Sequence, residues 1–369
     1  MRILVTGARG FIGRNLTQRL GEEQLAFDSF VNGDSADELR EKVRNCDFIV
    51  HLAGVNRPEN LEGFKQGNTD LTRMLCEALC AEKSSVPVIY SSSSQADQEN
   101  PYGKSKKLAE DELRELADTN GNTVFTYRLP NVFGKWSKPN YNSVVATFCN
   151  NIANDLPIHI NDASAEISMV YIDDVVADFL ERIRQDSFAG KYQLAKVVPV
   201  YQISVGRLAD LLRSFKAGKE SLIVEAVGTG LIRALYSTFI SYFRPEQFSY
   251  PLVKHEDPRG VFVEMLKTRD SGQVSFFSAH PGVTRGGHYH HSKNEKFLVI
   301  RGHAKFGFRH IQTGEYYQME TRGDEPQVVE TVPGWSHDIT NIGDEEMFVM
   351  LWANEIFDPQ APDTIAHKV

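Results

Sequence analysis

The sequence predicts two folds in one chain: a doubly wound parallel α/β sheet over residues 1–245, followed by an all-β barrel over residues 250–369. Three observations predict them. A short apolar run, Ile3-Leu4-Val5-Thr6, stops at Gly7 and restarts as helix through Gly10 and Gly13. Buried-type strands then alternate with helical stretches as far as Tyr242. Near Tyr250-Pro251 the helical period gives way to short alternating runs separated by turn residues.

The turn Gly7-Ala8-Arg9-Gly10-Phe11-Ile12-Gly13 is expected to hold a dinucleotide. Gly7 permits the tight turn, Gly10 lets the backbone approach a pyrophosphate, and Gly13 lets the helix lie close to the sheet. The helix N-terminus adds unpaired N–H groups and partial positive charge. Asn15 to Leu20 continues that helix, and Gln24 to Phe30 reads as the second strand. An acid near its end would bind the ribose of NAD, whereas arginine accommodates the 2'-phosphate of NADP. Asp28 is a possible acid, but Arg9 sits in the turn and Arg14 just beyond it, which favours NADP(H).

Asp47 to Gly54 is a strand ending in small residues, where Leu52 and Ala53 border the path of a cofactor. A long amphipathic helix is expected from Phe64 to Glu82. Val86 to Tyr90 re-enters the sheet and ends in Ser91-Ser92-Ser93-Ser94. Ligands of parallel sheets bind beyond the carboxyl ends of the strands, so these hydroxyls would line a cleft. Tyr102 and Lys106, at i and i+4, share a helix face. An ammonium there can favour the ionised phenol, which makes an acid–base pair.

With these residues in place, about the first 240 residues resemble the extended short-chain dehydrogenase/reductase family, a Rossmann-type fold, and its nucleotide-sugar members in particular. The matching segments are the glycine turn, His51-Leu52-Ala53-Gly54, the serine run, the Tyr102/Lys106 pair, Arg128 to Gly134, and Tyr171 to Val176. The resemblance implies that Tyr102 is the proton donor or acceptor and that Lys106 tunes it and holds the nicotinamide ribose. It puts Ser93 at the position that binds the reacting oxygen, with Ser92 as the alternative, and Asn131 at the substrate-facing strand end. A dehydratase of this family carries an acidic pair beside the serine, where this chain has Gln95-Ala96. Lys135 to Asn140 places two cations beside an aromatic ring, suited either to a nucleotide diphosphate or to a solvated turn; Asp173-Asp174 reads as a helix cap.

The composition of the 369-residue chain, 41% hydrophobic and 24% charged, is that of a globular protein with room for two or three domains. A net charge of −9 and a pI of about 5.7 argue against nucleic acid or an anionic membrane as partner. No stretch approaches the roughly 20 apolar residues of a membrane span, and the first residues run into a strand without a signal-peptide pattern, so a cytoplasmic location is expected. Cys46, Cys76, Cys80 and Cys149 have neither disulfide-framework nor zinc-site spacing and read as reduced thiols.

In the second half, Gly286-Gly287-His288-Tyr289-His290 leads to Glu295 and Gly302, and Pro333-Gly334-Trp335-Ser336-His337 to Asn341. A strand points His288 and His290 to one face. Glu295 and His337 complete a donor set suited to zinc, or to iron, manganese or nickel. Residues 250–369 resemble the cupin family through both motifs, with Pro333 and Gly334 adjacent where the family separates them by one residue. Asp257 to Glu264 and Arg285-Gly286-Gly287-His288 are similar to its nucleotide-sugar 3,5-epimerase branch. That likeness implies a substrate contact for Arg285 and makes His288 either a catalytic base or a metal ligand.

A reductase joined to an epimerase-like barrel resembles the bifunctional enzymes of capsular polysaccharide and O-antigen synthesis. The resemblance implies a homodimer acting on a UDP-linked 4-keto-6-deoxy amino sugar. C3 would be inverted in the barrel and C4 reduced with NADPH in the other domain, giving a UDP-6-deoxy-L-talosamine type of product on the route to UDP-N-acetyl-L-fucosamine. Chemistry imposes the same order, because the C4 ketone is what acidifies the C3 proton and reduction destroys it. A non-catalytic NADP sensor would need no proton donor; the other alternative is a single-function nucleotide-sugar reductase or 4,6-dehydratase whose barrel only dimerises.

Overall fold

Strands with both faces covered by helices become apolar throughout, and alternate residues then enter different cores. In the computed structural model, which describes residues 1–369 other than Asp186, Ala189 and Gly190, the chain forms two compact units. One is Met1–Leu212 with Ala234–Phe243, the other Arg213–Arg233 with Arg244–Val369. This division differs from a single cut between 245 and 250.

The first unit contains β1 (Arg2–Thr6), β2 (Ala26–Phe30), β3 (Phe48–His51), β4 (Val88–Ser93), β5 (Val124–Leu129), β6 (Asn131–Phe133), β7 (Glu166–Tyr171), β8 (Tyr192–Ala195) and β9 (Tyr201–Ser204). Six of them make a parallel sheet in the order β2-β1-β3-β4-β5-β8; β6, β7 and β9 make a small second sheet. Its helices are α1 (Phe11–Glu22), α2 (Ala36–Arg44), α3 (Glu62–Phe64), α4 (Leu71–Ala81), α5 (Pro101–Asn120), α6 (Val144–Ala153) and α7 (Ile172–Ile183). Ile3 and Val5 pack with Leu16 of α1 and Phe179 of α7, whereas Leu4 between them packs with Leu39, Leu75 and Leu113 of α2, α4 and α5. That is the doubly wound arrangement.

Two local features depart from expectation. The helix expected over 64–82 is interrupted by a π turn at Lys65–Asp70. Its buried Asn68 accepts from the Val55 N–H at 3.0 Å and donates to the Val55 carbonyl at 2.9 Å and to Ser105 Oγ at 3.0 Å. β4 also runs three residues past Tyr90, so Ser91, Ser92 and Ser93 are buried strand residues and not a loop.

After α8 (Val205–Ser221), β10 (Ile223–Val224) and α9 (Gly230–Ile240), the second unit continues as β11 (Lys254–Asp257), β12 (Gly260–Thr268), β13 (Gly272–Ala279), β14 (Thr284–Tyr289), β15 (Glu295–Arg301), β16 (His303–His310), β17 (Tyr316–Arg322), β18 (Val328–Glu330), β19 (Trp335–Asn341), β20 (Met347–Ala353) and β21 (Ile365–Ala366). One sheet runs β10-β12-β13-β20-β15-β18, with β11 on β12; the other runs β17-β16-β19-β14-β21. Phe277, Phe297 and Val349 of the first meet Phe306, Phe308 and Ile339 of the second in one buried cluster. β10 pairs with β12, which carries residues 213–233 into this unit. Among the described residues no helix is long and apolar enough to cross a membrane.

Candidate active sites

The carboxyl ends of β1, β3 and β4 open into a cleft of about 510 Å³, lined by Gly7, Arg9, Gly10, Phe11, Ile12, Gly13, Leu52, Ser91 to Gln95, Tyr102, Lys106 and Asn131. The glycines are required by contact. Gly7 has φ +71°, and a Cβ there would lie 2.6 Å from the Ala53 nitrogen; a Cβ on Gly13 would lie 2.2 Å from the Gly7 carbonyl oxygen. Ala53 therefore supports the turn from behind while Leu52 lines the cleft.

Asn100 caps α5 by accepting from the Gly103 N–H at 2.8 Å, and this sets Tyr102 and Lys106 at the cleft. Burial pushes the Tyr102 phenol up, and its hydrogen bond with Ser93 pulls it back. Lys106 donates to the Ser91 carbonyl at 2.9 Å. Burial lowers its ammonium to about 8, against the nearby Glu110 carboxylate. The Ser92 hydroxyl is already engaged, donating to fully buried Glu110 at 2.5 Å, which Arg128 grips with two guanidinium nitrogens at 2.9 and 2.7 Å. Of the two serines weighed from sequence, Ser93 is the one beside the phenol.

The residues expected around this cleft divide. Arg9 is exposed along its wall, whereas Arg14 is engaged with the Trp136 carbonyl at 2.8 Å. Asp28 is not a ribose acid: it lies in mid-strand, bound by Arg2 Nε at 2.5 Å and Nη2 at 3.0 Å. The acid beyond the strand end, Asp34, accepts from the Val31 N–H at 3.1 Å and from Lys42 at 2.7 Å. Asn131 lines the cleft and donates to the Ser168 carbonyl at 3.0 Å. Lys135 is paired with Asp173 at 2.5 Å, away from the cleft wall, and Lys138 stands there in its place. Asp173 and Asp174 lie inside the first turn of α7 and complement its dipole, while Tyr171 occupies the cap position.

In the second unit, ligand atoms of His288, His290, Glu295 and His337 lie within 4.8 Å of one another. His288 on β14 is opposite His337 on β19. Glu295 Oε2 is 3.1 Å from His290 Nε2 and 3.5 Å from His337 Nε2; Oε1 is held by the Lys293 ammonium at 2.9 Å. Burial alone would raise the Glu295 carboxyl, but His290, His337 and Lys293 hold it far below its ordinary value. His337 is buried with neither ring nitrogen hydrogen-bonded. An orphan of that kind costs about 1–3 kcal/mol, and a cation among these donors would relieve it. Three nitrogens and a carboxylate suit zinc.

Beside this set is a pocket of about 160 Å³ whose walls include Phe262, Phe277, Phe306, Arg285, His288 and Asp338. Arg285 donates Nε to the Ser278 carbonyl at 3.0 Å and keeps a buried Nη2 without a partner. Burial, with the His337 ring behind it, lowers His288 to about 4, so its imidazole is neutral.

Residues 3–195 match the model of the NAD dependent epimerase/dehydratase family, and residues 255–365 match the polysaccharide biosynthesis C-terminal domain. The chain belongs to the NAD dependent epimerase/dehydratase family. It is 56% identical over 370 residues to UDP-2-acetamido-2,6-beta-L-arabino-hexul-4-ose reductase of Pseudomonas aeruginosa, covering 100% of this chain and 99% of that one. The capsular polysaccharide assembling protein CapF of Staphylococcus aureus superposes over 100% of both chains with a TM-score of 0.91 at 41% identity. UDP-glucuronic acid 4-epimerase of Bacillus cereus shares the fold of the first unit at 17% identity and TM-score 0.55, over 66% of this chain and 96% of its own.

Within this epimerase/dehydratase-family chain, three contributors escaped sequence reading. Glu110 is one turn beyond Lys106 on the same face of α5, a spacing that could have flagged it. Lys293, two residues before Glu295, gave no signal because a lysine in a turn is ordinarily solvated. Asn68 depends on a π turn that no periodicity announces.

Proposed function

We propose that the chain is an NADPH-dependent nucleotide-sugar 4-ketoreductase that also inverts C3. Its substrate would be a UDP-linked 2-acetamido-2,6-dideoxy-4-keto-hexose, as the activity of the Pseudomonas relative supports. The observation that carries the reading is the meeting of Ser93, Tyr102 and Lys106 beside the Gly7–Gly13 turn.

A nicotinamide cofactor held along the Gly7–Gly13 turn would supply the hydride for C4. Tyr102 gives its phenolic proton to the C4 oxygen, Ser93 orients that oxygen, and the Lys106 ammonium steadies the phenolate left behind. For the 2'-phosphate, Arg9 is exposed while Asp28 and Asp34 are already paired, which supports NADPH over NADH. Arg9→Ala should weaken NADPH more than NADH.

In the second unit, read as a cupin, neutral His288 removes the C3 proton, the Arg285 Nη2 faces the charge that develops on the sugar, and a solvent-derived proton returned to the opposite face of C3 completes the inversion. His290, Glu295 and His337 would hold a divalent ion, zinc by their chemistry, which supplies positive charge to the same site. His288 is then the base and not a fourth ligand. Phe276, Met350 and Val328, 37%, 43% and 55% exposed, lie in an interstrand row across β13, β20, β15 and β18. A bare apolar row of this kind supports a homodimer, which sedimentation would read.

The test is incubation with a UDP-4-keto sugar in deuterated water, with and without NADPH, followed by NMR. Deuterium at C3 without NADPH, and a C4 alcohol with it, are expected. Reduction without C3 exchange would remove the epimerase half of the proposal; exchange without reduction would remove the other.

A further inference from the structure

The last residues of the chain lie against the metal-type donor set, and nothing in the sequence motifs places them there. Asp363 Oδ1 accepts from the His291 N–H at 2.9 Å; Oδ2 accepts from the N–H groups of Ser292 and Lys293 at 2.7 and 2.9 Å and from Ser292 Oγ at 3.0 Å. The carbonyl of the same residue is 2.5 Å from His290 Nδ1. Two residues on, β21 adds to β14 with Ala366 opposite His288 and Ile365 opposite Tyr289. His367 donates its N–H to the Gly287 carbonyl at 2.9 Å, and its own carbonyl accepts from Ser336 Oγ at 2.6 Å, beside His337.

We infer that residues 363–367 are a strap that orients the donor set, and that Asp363 is its positioning residue. The carbonyl of Asp363 can only accept, so His290 must carry its proton on Nδ1. That leaves the Nε2 lone pair for an ion on the side where Glu295 Oε2 lies. The carboxylate makes the arrangement rigid: it ties the 291–293 turn to the strap, so the histidine, its carbonyl partner and Lys293, which holds Glu295 Oε1, move together. β21 is a two-residue, exposed edge strand and contributes little to the core. Its ladder partner is β14, which carries His288. The inference rests on the metal reading proposed above.

Metal affinity of the full chain is measured by competition with a chromophoric zinc chelator, and donor geometry by the visible spectrum of the cobalt form. Asp363→Ala should weaken zinc binding about 10–100-fold, the range expected when a group orienting a ligand is lost, and should shift the cobalt bands. Asp363→Asn, which keeps one acceptor oxygen, should fall between that variant and wild type. NADPH-linked reduction of a substrate already in the epimerised form should be unchanged in both. Wild-type affinity and spectrum in both variants would overturn the strap, as would an affinity loss matched by an equal loss of stability in the metal-free protein. A wild-type chain that holds neither zinc nor cobalt would instead remove the metal reading itself.

Discussion

Tyr102 is half-buried beside Ser93, and on the proposed reading its ring packs while only its hydroxyl reacts. Tyr102→Phe should keep NADPH affinity, read by fluorescence titration, and slow C4 reduction by about 100- to 10,000-fold. C3 exchange should persist in that variant. His288→Asn should retain zinc on elemental analysis and lose C3 exchange; loss of the metal would instead make His288 a ligand. For Lys106 the sign follows from its environment. Burial lowers the folded-state value from 10.5 to about 8, so between those values the unfolded chain binds the proton better, and stability rises with pH. The cost is about 3 kcal/mol below pH 8 and vanishes above 10.5. Lys106→Met should therefore remove roughly that much from the rise in unfolding free energy across this window, measured by urea titration at several pH values.

At the scale of elements, the first turn of α1 comes up against the Gly7 turn through Gly13. Gly13→Ala would put a methyl 2.2 Å from the Gly7 carbonyl oxygen and 2.7 Å from Ala8 Cα. The helix must retreat, at about 1–3 kcal/mol, and NADPH binding should weaken in calorimetric titration, since the N–H groups that meet the phosphates move with it. What could be read in the sequence was what is local. The glycine turn, the Tyr102/Lys106 face and the His288–Glu295 cluster each lie within a dozen residues. Asp28 misled because its place in the strand, beside Arg2, depends on how far β2 runs. Lys135 misled because Asp173, 38 positions later, takes its charge. The contact between Asp363 and His290 spans 73 positions, and no spacing rule reaches so far.

On the proposed reading the whole molecule keeps two chemistries on separate ligands, and that separation can be measured. In calorimetry, zinc should raise the melting of the unit carrying His290, Glu295 and His337, and NADPH that of the unit carrying the glycine turn, each because a ligand stabilises the fold it selects. Chelation should abolish C3 exchange and spare reduction of an epimerised substrate. The units are nevertheless not beads on a string. The chain leaves the first after Leu212, returns for Ala234–Phe243 and leaves again. Neither unit can therefore be isolated by one cut in the gene. A fragment ending at 245 would carry β10 without β12 and expose a strand edge for aggregation, while one beginning at 250 would lack the strand it borrows. A shuffled gene would have to exchange 213–233 together with residues 244–369, so the two units are inherited as a single piece.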